Sequence, residues 1–200
     1  MKHVLIILIA VLPTLLFGQQ EEKNFELPLF KMDLPINEHT GLISFVYVVE
    51  VNDVPKDELY SRAVEWINVK YNAEGDILQM EDKEKGMLIG YAFTDMTIIE
   101  VGLGEIEKMY YSIKIFVKDG RYKCVVTDIR FQSYASEYDL YPDIFSAEHL
   151  MIDELYNKKG KIRSKNMEYK EKTITAVRSL AQDLQNAMVK EKYAAEGDEW

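Results

Sequence analysis

Three histidines and one cysteine are the whole imidazole and thiol inventory of this 200-residue chain, against 34 acidic side chains. Glu148, His149 and Asp153 form its one metal-like cluster, because His149 and Asp153 stand four apart and would share a helix face. Two ligands are not a site, since zinc chemistry uses about 3 protein ligands plus water. The cluster reads as a solvated helical face. Gly102-Leu103-Gly104 begins like a dinucleotide loop, yet the last glycine of that pattern would fall on Glu107, and a strand follows where a helix is needed. There is no P-loop and no Gly-x-Ser-x-Gly elbow; His3 lies in an N-terminal leader, so His39 and His149 are the only imidazole bases available. The carboxylates Glu81, Asp82, Glu84, Glu105 and Glu107 cannot be paired into an acid and a base by spacing, and they read as groups that keep turns wet. The inventory leans against an enzyme and implies no metal, no cofactor and no catalytic residue. An envelope hydrolase working through carboxylates stays as an alternative.

The leader fixes the expected compartment. Lys2 and His3 precede an uncharged apolar run from Val4 to Phe17, too short for the ~20 residues that span a bilayer, and Gly18 precedes the polar Gln19-Gln20-Glu21-Glu22. Residues 1–18 read as a signal peptide, and no cysteine lies near the cleavage point to accept a lipoprotein's lipid. The expectation is an exported periplasmic or extracellular protein without a transmembrane helix after cleavage. The mature 182 residues then carry 23 basic and 34 acidic groups, net −11 against −10 for the whole chain. Such a field repels phosphate backbones and anionic lipid surfaces, so nucleic acid is not an expected partner. Cys124, alone within Tyr122-Lys123-Cys124-Val125-Val126, reads as a buried strand residue.

Periodicity supplies the elements. Residues 19–40 read as an N-terminal arm and 41–193 as a single domain with an irregular insertion over 133–166 and a frayed tail over 194–200. Leu42–Val51 is a nearly continuous β-forming run, which predicts a strand covered on much of both faces. Pro55, Asp57 and Glu58 start a helix whose apolar face is dominated by Trp66 and which Gly75 closes. Strands are expected over 77–80, 87–94, 97–101, 108–118 and 122–131. Asp119-Gly120 forms a two-residue hairpin with positive φ. In the strand before it, Met109, Tyr111, Ile113, Ile115 and Val117 form the core face and alternate with Tyr110, Ser112, Lys114, Phe116 and Lys118. After the turn, Tyr122, Cys124, Val126 compete with Val125, Ile129, Phe131 for the inside, which suggests a bulge or two covered faces. A short helix over 146–156 and a long one over 173–193 complete the chain. The fold class is α+β: a curved antiparallel sheet with helices on one face, in β-α-β(4–5)-α order.

Gly41-Leu42-Ile43-Ser44-Phe45, Val54-Pro55-Lys56-Asp57-Glu58-Leu59-Tyr60 leading to Trp66, Gln79 to Gly86, Val117-Lys118-Asp119-Gly120-Arg121-Tyr122 and Thr127-Asp128 resemble the DUF4468 type of secreted bacterial domain of unknown function with a TBP-like fold. The similarity spans roughly 41–132. It implies that fold and an exported bacterial setting, and it brings no catalytic residues. The TBP label implies no DNA binding here, given one unit and net −11 after cleavage. Helix-grip lipid-binding proteins are similar in architecture.

The expected function is therefore a non-catalytic binding or interaction module. An apolar small ligand held between sheet and last helix would meet Phe45, Tyr47, Tyr91, Phe93, Tyr111 and Ile113 on the sheet side and Leu180, Leu184 and Met188 on the helix. The alternative is docking of an envelope protein through the 134–165 insertion, where Tyr134, Tyr138, Tyr141 and Phe145 are efficient contact residues. The basic run Lys158 to Lys165 in the same segment reads as an exposed loop.

Overall fold

The computed structural model describes residues 34–71, 77–100, 102–136 and 139–189. The expected signal peptide, most of the expected arm, the expected cap at Gly75, Tyr138 and everything after 189, including the expected tail, lie outside them.

In chain order the elements are β1 (Phe45–Glu50), α1 (Lys56–Tyr71), β2 (Leu78–Asp82), β3 (Met87–Glu100), β4 (Leu103–Lys118), β5 (Arg121–Ser133), β6 (Ile144–Ser146), a π-helical turn (His149–Asp153) and α2 (Ser164–Val189). The strands form one antiparallel sheet in the order β1-β5-β4-β3-β2, with β6 also on β5. β1 and β2 therefore sit at opposite edges, about 19 Å apart at 4.8 Å per strand. The 16 residues of α1 rise about 24 Å, enough to cross the sheet diagonally between them. Both helices lie on one face, and no helix among the described residues is long and apolar enough to cross a membrane.

Asp119 explains why the β4–β5 turn and the start of α1 occur together. Its Oδ1 accepts the Lys56 N–H at 2.8 Å, capping α1 from the hairpin, while Gly120 N–H donates to Val54 O at 2.9 Å. Gly120 supplies the positive φ (+70°) expected of this two-residue turn. The expected bulge is present. Tyr110 faces Arg130 but Ser112 faces Thr127, so β5 spends one extra residue, and Asp128 takes φ +54° there. That residue flips parity, which places Tyr122, Cys124 and Val126 before it and Ile129 and Phe131 after it on the same buried face.

The core is the covered face of the sheet against the two helices. The expected core face of β4 is buried at every position, and α2 contributes Ile174, Val177, Leu180, Ala181, Leu184 and Met188. Asp183 ties the helices together: it takes the Lys70 ammonium at 2.7 Å and the Trp66 indole N–H at 3.3 Å. α2 starts at Ser164, nine residues before the expected Thr173, because its first turns bury Asn166, Tyr169 and Thr173, which no apolar count registers. β3 is one strand where two were expected. The short helix expected over 146–156 is present as a π-helical turn, His149–Asp153, preceded by the strand β6.

Candidate functional site

The second face of the sheet is uncovered by any described element. β1 alternates strictly between buried and exposed residues, with Val46 44% and Val48 59% exposed, so the expected double covering of this strand is corrected. The register carries that face across the strands in rows. Val48 lies beside Lys123, Phe116 and Met87; Val46 beside Val125, Lys114 and Ile89. A third row runs Phe93, Tyr110, Arg130. Tyr91 stacks on Tyr110 with centroids 5.9 Å apart, and Phe93 tilts against Tyr110 at 5.6 Å. Packing among these neighbours raises the Tyr91 phenol above its ordinary pKa by desolvation.

Cations thread between the rings. Lys108 Nζ sits 4.6 Å from the Phe93 centroid and 4.7 Å from that of Tyr134, and Lys123 Nζ is 4.6 Å from Phe116. Lysine stems lie well along apolar surface while the ammonium stays wet, and the ring faces attract the charge. With Lys114, Lys118, Arg121 and Arg130 these make six cations, against Glu50, Asp82, Asp95 and Asp128. Asp128 is engaged by Arg130 at 2.9 Å, and Asp95 accepts the Tyr134 hydroxyl at 2.6 Å. A chain of net −10 thus presents one apolar face with a local excess of positive charge.

The residues expected to wall an internal ligand divide between the two faces. Phe45, Tyr47, Tyr111 and Ile113 are buried under the helices, opposite Leu180, Leu184 and Met188. Tyr91 and Phe93 point the other way, because Leu88, Gly90, Ala92 and Met96 hold the covered side of β3. Beneath α2 there is a cleft of about 160 Å³ bordered by Tyr111, Met109, Val177 and Leu180, about half the ~300 Å³ of the smallest pockets for drug-sized ligands. Tyr71 and Tyr111 close the interior nearby with a 2.8 Å hydroxyl pair.

The insertion joins the uncovered face. Tyr134 shares Lys108 with Phe93, and a hollow of about 390 Å³ lies between Lys108, Gln132, Tyr134 and Tyr141. Tyr141 is 89% exposed, whereas Phe145 pairs with Phe131 through β6. In the basic run, Arg163 pairs with Glu154 at 3.0 Å and Lys165 approaches Glu105 at 3.8 Å. Glu148 accepts the Ile43 N–H at 2.7 Å, anchoring the lead into β1. In the π turn Glu154 N–H bonds His149 O, and among the described residues no group of three or more His, Cys, Asp or Glu side chains gathers to hold a metal. Burial pushes the Cys124 thiol up to about 12, consistent with a packing residue.

Sequence reasoning missed Tyr110, Lys114, Phe116, Lys123, Val46 and Val48 as a group. The signal was present: two of the five residues that alternate with the β4 core residues, Tyr110 and Phe116, are aromatic, where a solvated face would be polar.

Residues 45–132 match the model of a family described as a domain of unknown function (DUF4468) with TBP-like fold. A crystal structure of a DUF4468 family protein from Bacteroides ovatus superposes with a TM-score of 0.63 at 16% identity, over 79% of this chain and 92% of that one. A TBP-like protein from Parabacteroides distasonis gives 0.56 at 20% identity, over 74% and 94%. No curated protein matches the sequence. The resemblance read from the residues and the TBP-like α+β fold are thereby established.

Proposed function

From a TBP-like domain whose family implies no activity, we propose an exported, non-catalytic protein-interaction module whose contact face is the uncovered side of the sheet together with Tyr134 and Tyr141. The observation that carries this reading is the row structure of that face: exposed aliphatics, stacked rings and a surplus of lysine and arginine on an otherwise acidic chain. Exposed Val46 and Val48 favour a protein over a polysaccharide, because aliphatic side chains gain by burial and offer nothing to sugar hydroxyls. Charge complementarity selects an acidic partner segment carrying aromatic or aliphatic residues. Face-to-face pairing of two copies would set this surplus of positive charge against itself. The N-terminal leader supports a site of action outside the cytoplasm.

The test uses the mature chain and a random glutamate–tyrosine copolymer as probe, with polyglutamate and dextran sulfate as controls. The expected result is saturable, salt-sensitive binding of the copolymer, weaker binding of the controls, and at least a tenfold loss in Lys114→Glu/Lys123→Glu. That variant keeps its stability within about 0.5 kcal/mol, since both positions are surface cations. Equal binding by the variant, or preference for dextran sulfate, contradicts the reading.

A further inference from the structure

Glu107 is the exception on the covered side of β4. The five positions after it on that side, Met109 to Val117, hold no ionised group. Glu107 is nevertheless only 4% exposed, and among the described residues no cation stands within ion-pair distance of it. Its Oε1 accepts a 2.5 Å hydrogen bond from the Tyr169 hydroxyl at the start of α2. One neutral donor leaves much of a carboxylate's acceptor capacity for another donor.

The carboxylate borders a cleft of about 230 Å³ between β4, β6 and α2, whose apolar walls include Phe131, Phe145 and Leu150. Phe131 and Tyr169 pack at 4.8 Å between centroids, presenting aromatic surface beside the acid. Asn166 also borders the cleft; its Nδ2 donates to Leu150 O at 2.7 Å, which fixes the amide and leaves its oxygen as an acceptor. At the rim, the Lys165 charge is offset by Glu105 at 3.8 Å.

We propose that this cleft is a binding site for a small organic ammonium group on an apolar body, with Glu107 as counter-ion, Asn166 Oδ1 as second acceptor and the Phe131–Tyr169 pair as the aromatic wall. A carboxylate and ring faces both favour a cation, and neither offers anything to an anion. At about 230 Å³ the cleft falls short of the ~300 Å³ of drug-sized pockets and admits only a ligand of single-ring size. The cleft lies on the covered side of β4 and shares only Gln132 and Ser133 with the hollow at Tyr134 and Tyr141, so either assignment can fail alone.

The experiment is an amide-resolved NMR titration of the mature chain with phenethylamine and, separately, 2-phenylethanol, which differ only in the cationic group. The amine is expected to shift Glu107, Phe131 and Asn166 saturably, with the alcohol at least tenfold weaker. Glu107→Gln abolishes that preference, and Asn166→Ala lowers amine affinity several-fold while leaving alcohol affinity unchanged. Absence of saturable shifts, equal affinity for amine and alcohol, or a preference that survives Glu107→Gln overturns the proposal. The amine–alcohol comparison on the unmodified chain decides even if the Glu107 variant does not fold.

Discussion

The turn between β2 and β3 sets the register that places Met87 opposite Phe116 and, further along, Phe93 opposite Tyr110. Gly86 holds it with φ +64°. A Cβ at this position would stand 2.5 Å from Val117 O and 2.9 Å from Val117 Cγ2. The carbonyl belongs to strand backbone and cannot swing aside, and Val117 N–H also donates to Gly86 O at 2.8 Å. Gly160 provides the control, with φ +69° and nothing within 4 Å of an added Cβ. Both alanine variants meet the left-handed penalty of about 1 kcal/mol. Gly86→Ala adds overpacking of about 1–3 kcal/mol and strain on one hydrogen bond worth about 1. The expected losses are about 1 kcal/mol for Gly160→Ala and about 3–5 for Gly86→Ala, a Tm gap of roughly 4–16 °C for a domain of this size. Urea unfolding followed by tryptophan fluorescence measures both. Losses that agree within about 0.5 kcal/mol would refute the packing argument.

Three further outcomes follow from the interior. Tyr111→Phe removes the partner of the Tyr71 hydroxyl and should cost about 1–3 kcal/mol, while the double Tyr71→Phe/Tyr111→Phe variant costs less than the sum of the singles in a urea-denaturation cycle; strict additivity would count against the pair. Desolvation raises Tyr47 to about 12, with Tyr71 and Tyr122 higher still. Their stabilising contribution is whole below the unfolded phenol pKa of ~10, and above it the unfolded chain ionises while the fold stays neutral. Stability should then fall by about 1.4 kcal/mol per pH unit for each such group, and a urea midpoint unchanged between pH 9 and 11 would contradict this. The hydrogen bond from Lys70 leads in lowering the Asp183 pKa, so its contribution is present above the unfolded carboxylate pKa and fades as pH falls through the folded one. Asp183 is half exposed, so Asp183→Asn should cost under about 1 kcal/mol at pH 7 in the same assay, and a loss above 2 would show that screening was overrated.

Where one face of a strand is apolar and the other polar, the sequence was legible: the β4 core positions and the α1 face read correctly because period 2 and period 3.6 leave one choice of inside. The bulge in β5 was visible as a clash of parities. β3 defeated the same reasoning. It is apolar on both faces, so Tyr91 and Phe93 were assigned to the covered side, while the small Gly90 and Ala92 that make room for the helices carry little weight in a hydrophobicity count. The first nine residues of α2 were invisible because Asn166 and Tyr169 are buried through hydrogen bonds. Glu107 was read as a wet turn residue, since nothing local distinguishes it from Glu105. Only the fold, which sets 107 on the covered side of β4 under Tyr169, separates them.

The most direct test of the account maps where the glutamate–tyrosine copolymer lands, using amide chemical shifts of the mature chain at low salt. The account predicts perturbations confined to Val46, Val48, Tyr110, Lys114, Phe116, Lys123 and the Tyr134 segment, with the helix-covered residues Ile113, Val177 and Leu184 unmoved. Perturbations centred on α1 and α2, or no localised change at all, would contradict it.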